Sequence, residues 1–211
     1  MENNISDNSK TASSKIGIVN YGAGNLFSLG CALERQNITY GMINKIDDFD
    51  LYSHIIIPGV GHAGAAMSKL KASGLSDAIK LLKKPVLGIC VGMQLLTAHS
   101  EEGNSALLDL FPLQTRLFDK DQHIKIPHMG WNNVDFKDNK LFYNILNLTQ
   151  FYFVHSYFIE YNPIFDIASA HYGGRFSAAI QKDNFFGVQF HPEKSGAAGE
   201  QLLKNFAHLT L

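Results

Sequence analysis

The chain has 211 residues, 45% of them apolar, and its 18 Lys+Arg against 19 Asp+Glu leave a net charge of −1. That length predicts one domain with a core large enough to fold without disulfide or metal staples. The near-zero charge excludes a general nucleic-acid binder, and two cysteines, Cys31 and Cys90, are too few for a secreted disulfide framework.

Met1 to Ser14 is polar and rich in Asn and Ser, without the apolar core of a signal peptide, and reads as a flexible tail before a domain spanning residues 15–211. Ile16 to Val19 is a short apolar run ending at Asn20-Tyr21-Gly22, which predicts a buried strand entering a turn. Leu26 to Gln36 carries Leu26, Leu29 and Leu33 on one helical face, and His54 to Ile57 is a second strand, stopped by Pro58-Gly59. Met67 to Lys84 has helical spacing broken by Gly74; Val86 to Ile89 is a third strand, and Val91 to Ala98 reads as a helix. The later segments His123–Phe136, Phe151–Ile159, Ile167–Tyr172, Ala178–Gln181 and Phe185–Phe190 are strand-like and closely spaced, with a short helix near Lys140 to Leu146 and a closing helix over Gln201 to Leu209. The pattern predicts a three-layer α/β/α sandwich with a mostly parallel central sheet, and extra antiparallel strands in the second half. No apolar run reaches the roughly 18 residues of a membrane span, so a soluble, cytoplasmic protein is expected.

The strongest local signal is Gly88-Ile89-Cys90-Val91-Gly92 between a strand and a helix. Gly-x-nucleophile-x-Gly forms a sharp turn that needs small flanking residues and exposes the central side chain at a helix N-terminus, where partial positive charge favours a thiolate. A buried structural cysteine beside a glycine-rich turn fits the pentapeptide too. A second signal, His191-Pro192-Glu193, offers the imidazole that a nucleophilic thiol needs and the carboxylate that orients it. An extended chain through Pro192 points residues 191 and 193 the same way; a surface loop is the alternative. Pro58-Gly59-Val60-Gly61 after a strand suits an oxyanion hole or an ordinary βα turn. Gly22-x-Gly24 hints at dinucleotide binding, but Phe27 stands where that fingerprint needs its third glycine. His123 and His128 have no Cys or carboxylate at metal-ligand spacing, so no metal is expected, and Cys31 reads as a packing residue.

Gly88-Ile89-Cys90-Val91-Gly92-Met93-Gln94 together with Phe190-His191-Pro192-Glu193 resembles the class I glutamine amidotransferases. Tyr21-Gly22-Ala23-Gly24-Asn25-Leu26, Pro58–Gly61, Pro127–Asn132, Tyr152–Tyr157 and Gln189–Ser195 narrow the resemblance toward the glutaminase subunits of imidazole glycerol phosphate synthase. The resemblance implies a Cys-His-Glu triad of Cys90, His191 and Glu193, no cofactor, and glutamine held near Gly59, Gly61, Gln94, Glu102, His155, Ser156 and Tyr157. It implies an oxyanion hole at Val60 and the amide of Val91. It also implies a heterodimer partner, a barrel-shaped synthase subunit that receives ammonia and meets this chain near His128, Met129, Trp131, Asn132, Tyr152 and Lys194. Trp131 suits an interface anchor, or a core tryptophan. His62-Ala63, where the family more often has a small residue and then Phe, leaves the packing behind the oxyanion segment open. Alternative functions are a paralogous subunit feeding surface-polysaccharide sugar synthesis and a catalytically silent scaffold; an ammonia supplier for pyridoxal phosphate synthesis is disfavoured by Pro127–Asn132.

Overall fold

The computed structural model describes residues 15–119, 121 and 124–211. The leader Met1 to Ser14 and His123 therefore lie outside the described residues. The chain runs β1 (Lys15–Val19), α1 (Leu26–Arg35), β2 (Thr39–Ile43), β3 (His54–Ile57), α2 (Ala63–Ala72), α3 (Ser76–Lys80), β4 (Val86–Ile89) and α4 (Val91–Leu95). It continues through β5 (Thr97–Ser100), β6 (Ser105–Ala106), β7 (Phe111–Leu117), β8 (His128–Asn133), β9 (Asp135–Phe136), β10 (Gln150–His155) and β11 (Tyr157–Ile159). β12 (Asp166–His171), β13 (Arg175–Lys182), β14 (Phe185–Val188) and α5 (Gly196–Ala207) complete it.

The central sheet has eight strands in the order β2-β1-β3-β4-β14-β13-β12-β9. Pairing is parallel from β2 to β14 and antiparallel beyond it. β1, β3, β4 and β14 are short unbroken apolar runs because both their faces are covered: Ile16, Ile18, Ile55, Ile56, Val86, Leu87 and Val188 are fully buried. The β1-to-β2 and β3-to-β4 crossovers run in opposite directions along the sheet, so right-handed connections place α1 and α2 on opposite faces. α1 packs against α5, and the Arg35 Nε–Glu200 Oε1 ion pair at 2.6 Å ties the two. α2 packs against α4. The antiparallel additions expected in the second half are the β8–β10 ribbon and part of a four-stranded sheet, β11-β7-β5-β6, which begins earlier, at Thr97, and pairs β5 with β7 in parallel.

Three expectations need correction, and two strands were not expected. The helix expected over Val91 to Ala98 ends at Leu95, because Thr97 to Ser100 pairs with β7 as β5. The helix near Lys140 to Leu146 is only a 3-10 turn, Lys140–Phe142. The closing helix begins earlier and ends earlier, at Gly196–Ala207. β2 and β7 carried no strand expectation: β2 is an edge strand with only Ile43 fully buried, and β7 alternates Phe111, Leu113 and Thr115 inward with Pro112, Gln114 and Arg116 outward.

Candidate active site

β4 delivers Cys90 at the C-terminal edge of the sheet with φ 54° and ψ −111°, a conformation that costs a non-glycine residue energy. The surrounding backbone holds it there. A Cβ on Gly88 would lie 2.5 Å from the Gly92 carbonyl oxygen, one on Gly92 would collide with the Ile57 carbonyl oxygen, and one on Gly59 would collide with the Gly92 amide nitrogen. The end of β3, the turn and α4 thus approach more closely than side chains allow, and the glycines are required by contact. Gly59, expected at the substrate, is a packing residue of this turn.

His191 and Glu193 follow β14. The chain does not stay extended through Pro192; Pro192–Lys194 is a 3-10 turn, and that turn folds Glu193 Oε1 back to 2.8 Å from His191 Nδ1. Both side chains are buried. Ser195 fastens the turn: its Oγ donates to the His191 carbonyl at 2.7 Å and accepts from the Tyr152 amide at 3.0 Å, while the His191 amide donates to the Tyr152 carbonyl at 2.9 Å. His191 Nε2 and Glu193 Oε2 are buried without a hydrogen-bond partner among the described residues. Burial pushes the His191 pKa down, but the neighbouring Cys90 thiol and the Glu193 carboxylate outweigh it and hold the imidazole above its ordinary value. The thiol is near enough to act on the ring's charge, although the pair lacks the geometry of a formed hydrogen bond.

The Pro58–Gly61 segment is braced from the loop after β1. Tyr21 Oη donates to the Pro58 carbonyl at 2.6 Å, and a Cβ on Gly24 would lie 2.8 Å from Pro58 Cβ. Burial raises the Tyr21 pKa, with the Cys90 charge adding to it, so the phenol keeps its proton and remains the donor. Gly24 therefore serves this brace and Gly22 a positive-φ turn before it, where the sequence had raised a dinucleotide loop. Behind the segment, His62 Nδ1 accepts from the Ala65 amide at 3.3 Å as the N-cap of α2, and Ala63 is fully buried, which settles the His62-Ala63 packing.

A cavity of about 300 Å³ opens at Cys90 and His191 and is lined by Val60, Gly61, Val91, Gln94, Glu102, Pro127 and the Val154–Tyr157 stretch. Gln94 uses both Nε2 hydrogens internally, toward the Tyr157 carbonyl and Gln189 Oε1, each at 3.0 Å, which leaves Oε1 for a ligand. Glu102 Oε2 accepts from the Ala63 amide at the start of α2 and faces the cavity with the rest of its carboxylate. His155 has no free ring nitrogen. Its Nδ1 meets the Tyr157 carbonyl at 2.8 Å and so carries the proton; its Nε2 accepts from His128 Nδ1 at 3.0 Å, and His128 Nε2 meets Asn132 Nδ2 at 3.4 Å. Burial lowers both histidines, His128 to about 4 and His155 to about 3, and keeps them neutral. His155 thus shapes the cavity wall without offering a ring nitrogen to substrate. A larger cavity, about 670 Å³, lies between Lys83, Lys140, Gln181 and Leu209, and none of the motif residues lines it.

The two-residue period of β8 separates the residues expected at a partner surface. Met129 and Trp131 point outward, 63% and 54% exposed, which answers the question of a core tryptophan. His128 points inward and is buried, so its side chain is not on that surface, and Asn132 is half-buried. Trp131 meets Tyr152 edge-on across the ribbon, with ring centres 6.1 Å apart, and Lys194 Nζ lies 5.8 Å from the Tyr152 ring centre. These three residues form one outer patch, one residue from Glu193.

The family model described as glutamine amidotransferase class-I matches residues 17–209. The chain belongs to this family. It is 43% identical over 198 residues to the imidazole glycerol phosphate synthase subunit HisH of Bacteroides thetaiotaomicron, covering 92% of this chain and all of that one. It is 46% identical over 195 residues to the HisH subunit of Salmonella typhimurium, covering 91% and 98%. A glutamine amidotransferase from Thermotoga maritima, known from its crystal structure, shares the fold, with a TM-score of 0.63 at 15% identity over 92% of this chain and 82% of that one.

As a class-I amidotransferase domain, the chain shows site residues that its motifs alone did not single out. Tyr21 braces the Pro58 carbonyl, Ser195 fastens His191, and Gly199 lets α5 press on the 3-10 turn, where a Cβ would collide with the Pro192 carbonyl oxygen. Each acts on backbone atoms far away in sequence or across a turn, so residue type carried no signal of it.

Proposed function

We propose that this chain hydrolyses glutamine to glutamate and ammonia and delivers the ammonia to a synthase subunit that forms imidazole glycerol phosphate in histidine biosynthesis, as a cytoplasmic enzyme. The observation that carries the reading is the strained Cys90 facing one cavity with the buried His191–Glu193 pair. The 43–46% identity to HisH subunits over nearly whole chains supports the pathway.

Glu193 holds the Nδ1 proton and so turns Nε2 toward the thiol, and the ring's raised proton affinity makes it a ready acceptor of the thiol hydrogen. Cys90 Sγ attacks the carboxamide carbon of glutamine as its proton passes to His191 Nε2. The oxyanion that forms is met by the amides of Val60 and Val91, each worth about 3 kcal/mol in comparable sites. His191 returns the proton to the nitrogen, the C–N bond breaks, and ammonia leaves a glutamyl thioester. Water attacks the thioester with His191 as base, and glutamate departs with the thiol restored. Gln94 Oε1 and Glu102 are acceptors suited to the α-ammonium group of glutamine. Glu193 stabilises the imidazolium at each transfer.

The Met129–Trp131–Tyr152–Lys194 patch is the docking face for the partner barrel. The intact triad argues against a silent scaffold. Cys90→Ala is the test: with the partner subunit present, glutamate release is lost, while synthase activity supplied with ammonium salt persists. Glutamate release at the wild-type rate by Cys90→Ala contradicts the proposal.

A further inference from the structure

Gln189 lies between β14 and His191, is fully buried, and does not line the cavity. Its amide touches two site residues: Oε1 is 3.0 Å from Gln94 Nε2, and Nε2 is 3.7 Å from Cys90 Sγ. Which end of each amide faces which neighbour follows from the bonding itself. The Tyr157 carbonyl can only accept, so the Gln94 atom that meets it at 3.0 Å is the nitrogen. The second hydrogen on that nitrogen faces Gln189, so the Gln189 atom opposite it is the oxygen. The remaining end of the Gln189 amide, its N–H group, therefore points at the sulfur. His155 Nδ1 donates to the same Tyr157 carbonyl, which anchors the start of the chain from a second side.

We propose that Gln189 is a positioning residue for the reaction: through an orientation imposed by Tyr157 and Gln94, it holds an N–H donor on Cys90 Sγ. The inference rests on the nucleophile reading above. A sulfur accepts a hydrogen bond more strongly as an anion, because charge-assisted bonds are about twice as strong as neutral ones. The donor thus favours the attacking form of Cys90 at no cost to substrate space. Apart from His191, the group among the described residues that meets the sulfur is the Val154 carbonyl, 3.9 Å away, which can only receive the thiol hydrogen and so favours the protonated form. Gln189 opposes that carbonyl. The donor on the sulfur also explains a fully buried amide at the site whose two ends are both engaged.

Two substitutions isolate the donor. Gln189→Glu keeps the length and an oxygen for Gln94 but puts an acceptor on the sulfur. Gln189→Met keeps the length and loses both the N–H and the oxygen that meets Gln94 Nε2, so comparison with Glu separates the two contacts. The measurement is iodoacetamide alkylation of Cys90 in the full chain across pH, mapped by peptide mass so that Cys31 is counted separately, with unfolding curves to show that each variant is folded. The expected result is a Cys90 profile displaced by about one pH unit toward higher pH, a rate near neutrality about tenfold lower, and a larger effect for Glu than for Met. In the complex, kcat of Gln189→Glu for glutamine falls about tenfold, with KM within about twofold, because the side chain does not reach the cavity and the oxygen for Gln94 is kept. A folded variant whose alkylation profile superimposes on that of the wild type overturns the inference and leaves the nucleophile reading standing. A wild-type Cys90 that fails to alkylate removes both. If neither variant folds, the wild type decides: the Gln189 side-chain amide resonance must move over the same pH range as Cys90 alkylation, and a resonance that stays fixed overturns the inference.

Discussion

Tyr21→Phe removes one oxygen and leaves the ring in place. Tyr21 is 5% exposed, and its hydroxyl makes a 2.6 Å bond to the carbonyl of Pro58, itself a buried residue. The variant leaves that carbonyl unpaired, which costs about 1–3 kcal/mol. For a chain of this size 1 kcal/mol moves Tm by about 2–4 °C, so a central value of 2 kcal/mol lowers Tm by roughly 4–8 °C. The same bond fixes the start of the Pro58–Gly61 segment, one peptide from the Val60 amide. Calorimetry or a fluorescence melt gives the first quantity, and coupled glutamate release in the complex gives the second. In the proposed mechanism one oxyanion donor is displaced while the Gln94–Glu102 end is untouched, so the expected kinetic signature is a fall in kcat of about tenfold with KM little changed. A Tyr21→Phe protein with wild-type Tm and wild-type kcat would refute the claim that this loop braces the oxyanion segment.

Gly92→Ala drives a Cβ into the Ile57 carbonyl oxygen, backbone on backbone, and should cost more than about 3 kcal/mol, visible as loss of soluble folded protein or a collapsed melting transition. Trp131→Ala removes a half-exposed side chain, so the isolated chain should melt within about 2 °C of the wild type while affinity for the partner subunit, measured by calorimetric titration, drops by at least about tenfold. His128 and His155 are neutral in the fold with pKa values below the ordinary 6.5. The unfolded chain therefore binds protons that the folded chain refuses, and the stability they contribute is present above pH 6.5 and lost as pH falls toward 4. Each of the two loses about 2 kcal/mol between neutrality and about pH 5, and in denaturant titrations His128→Asn should remove about half of their joint contribution to the slope.

The parallel half of the sheet was legible because its strands are buried on both faces and need no alternation: His54–Ile57 and Val86–Ile89 coincide with β3 and β4. β2 was not, because an edge strand buries little and Thr39, Tyr40 and Gly41 form no apolar run. α4 was read too long because Leu95, Leu96 and Ala98 continue an apolar pattern. Only the pairing of Thr97–Ser100 with β7, a contact across the sequence, turns that stretch into a strand. At the site, Cys90, His191 and Glu193 stood out because their turn chemistry is local. His128 was misplaced on the partner surface because the strand register, which decides inward from outward, is fixed by pairing with β10. Tyr21 acts through a hydrogen bond to an atom 37 residues away and Gln189 through contacts 95 and 99 residues away, and no spacing rule reaches that far.

The nucleophile is the centre of the account, and a glutamine analogue bearing a diazoketone in place of the carboxamide tests it most directly. Incubated with the complex and mapped by peptide mass, the analogue should add one equivalent to Cys90, none to Cys31, and none in the presence of excess glutamine. Label spread over both cysteines, or Cys90 left unmodified while glutamate is still produced, would contradict it.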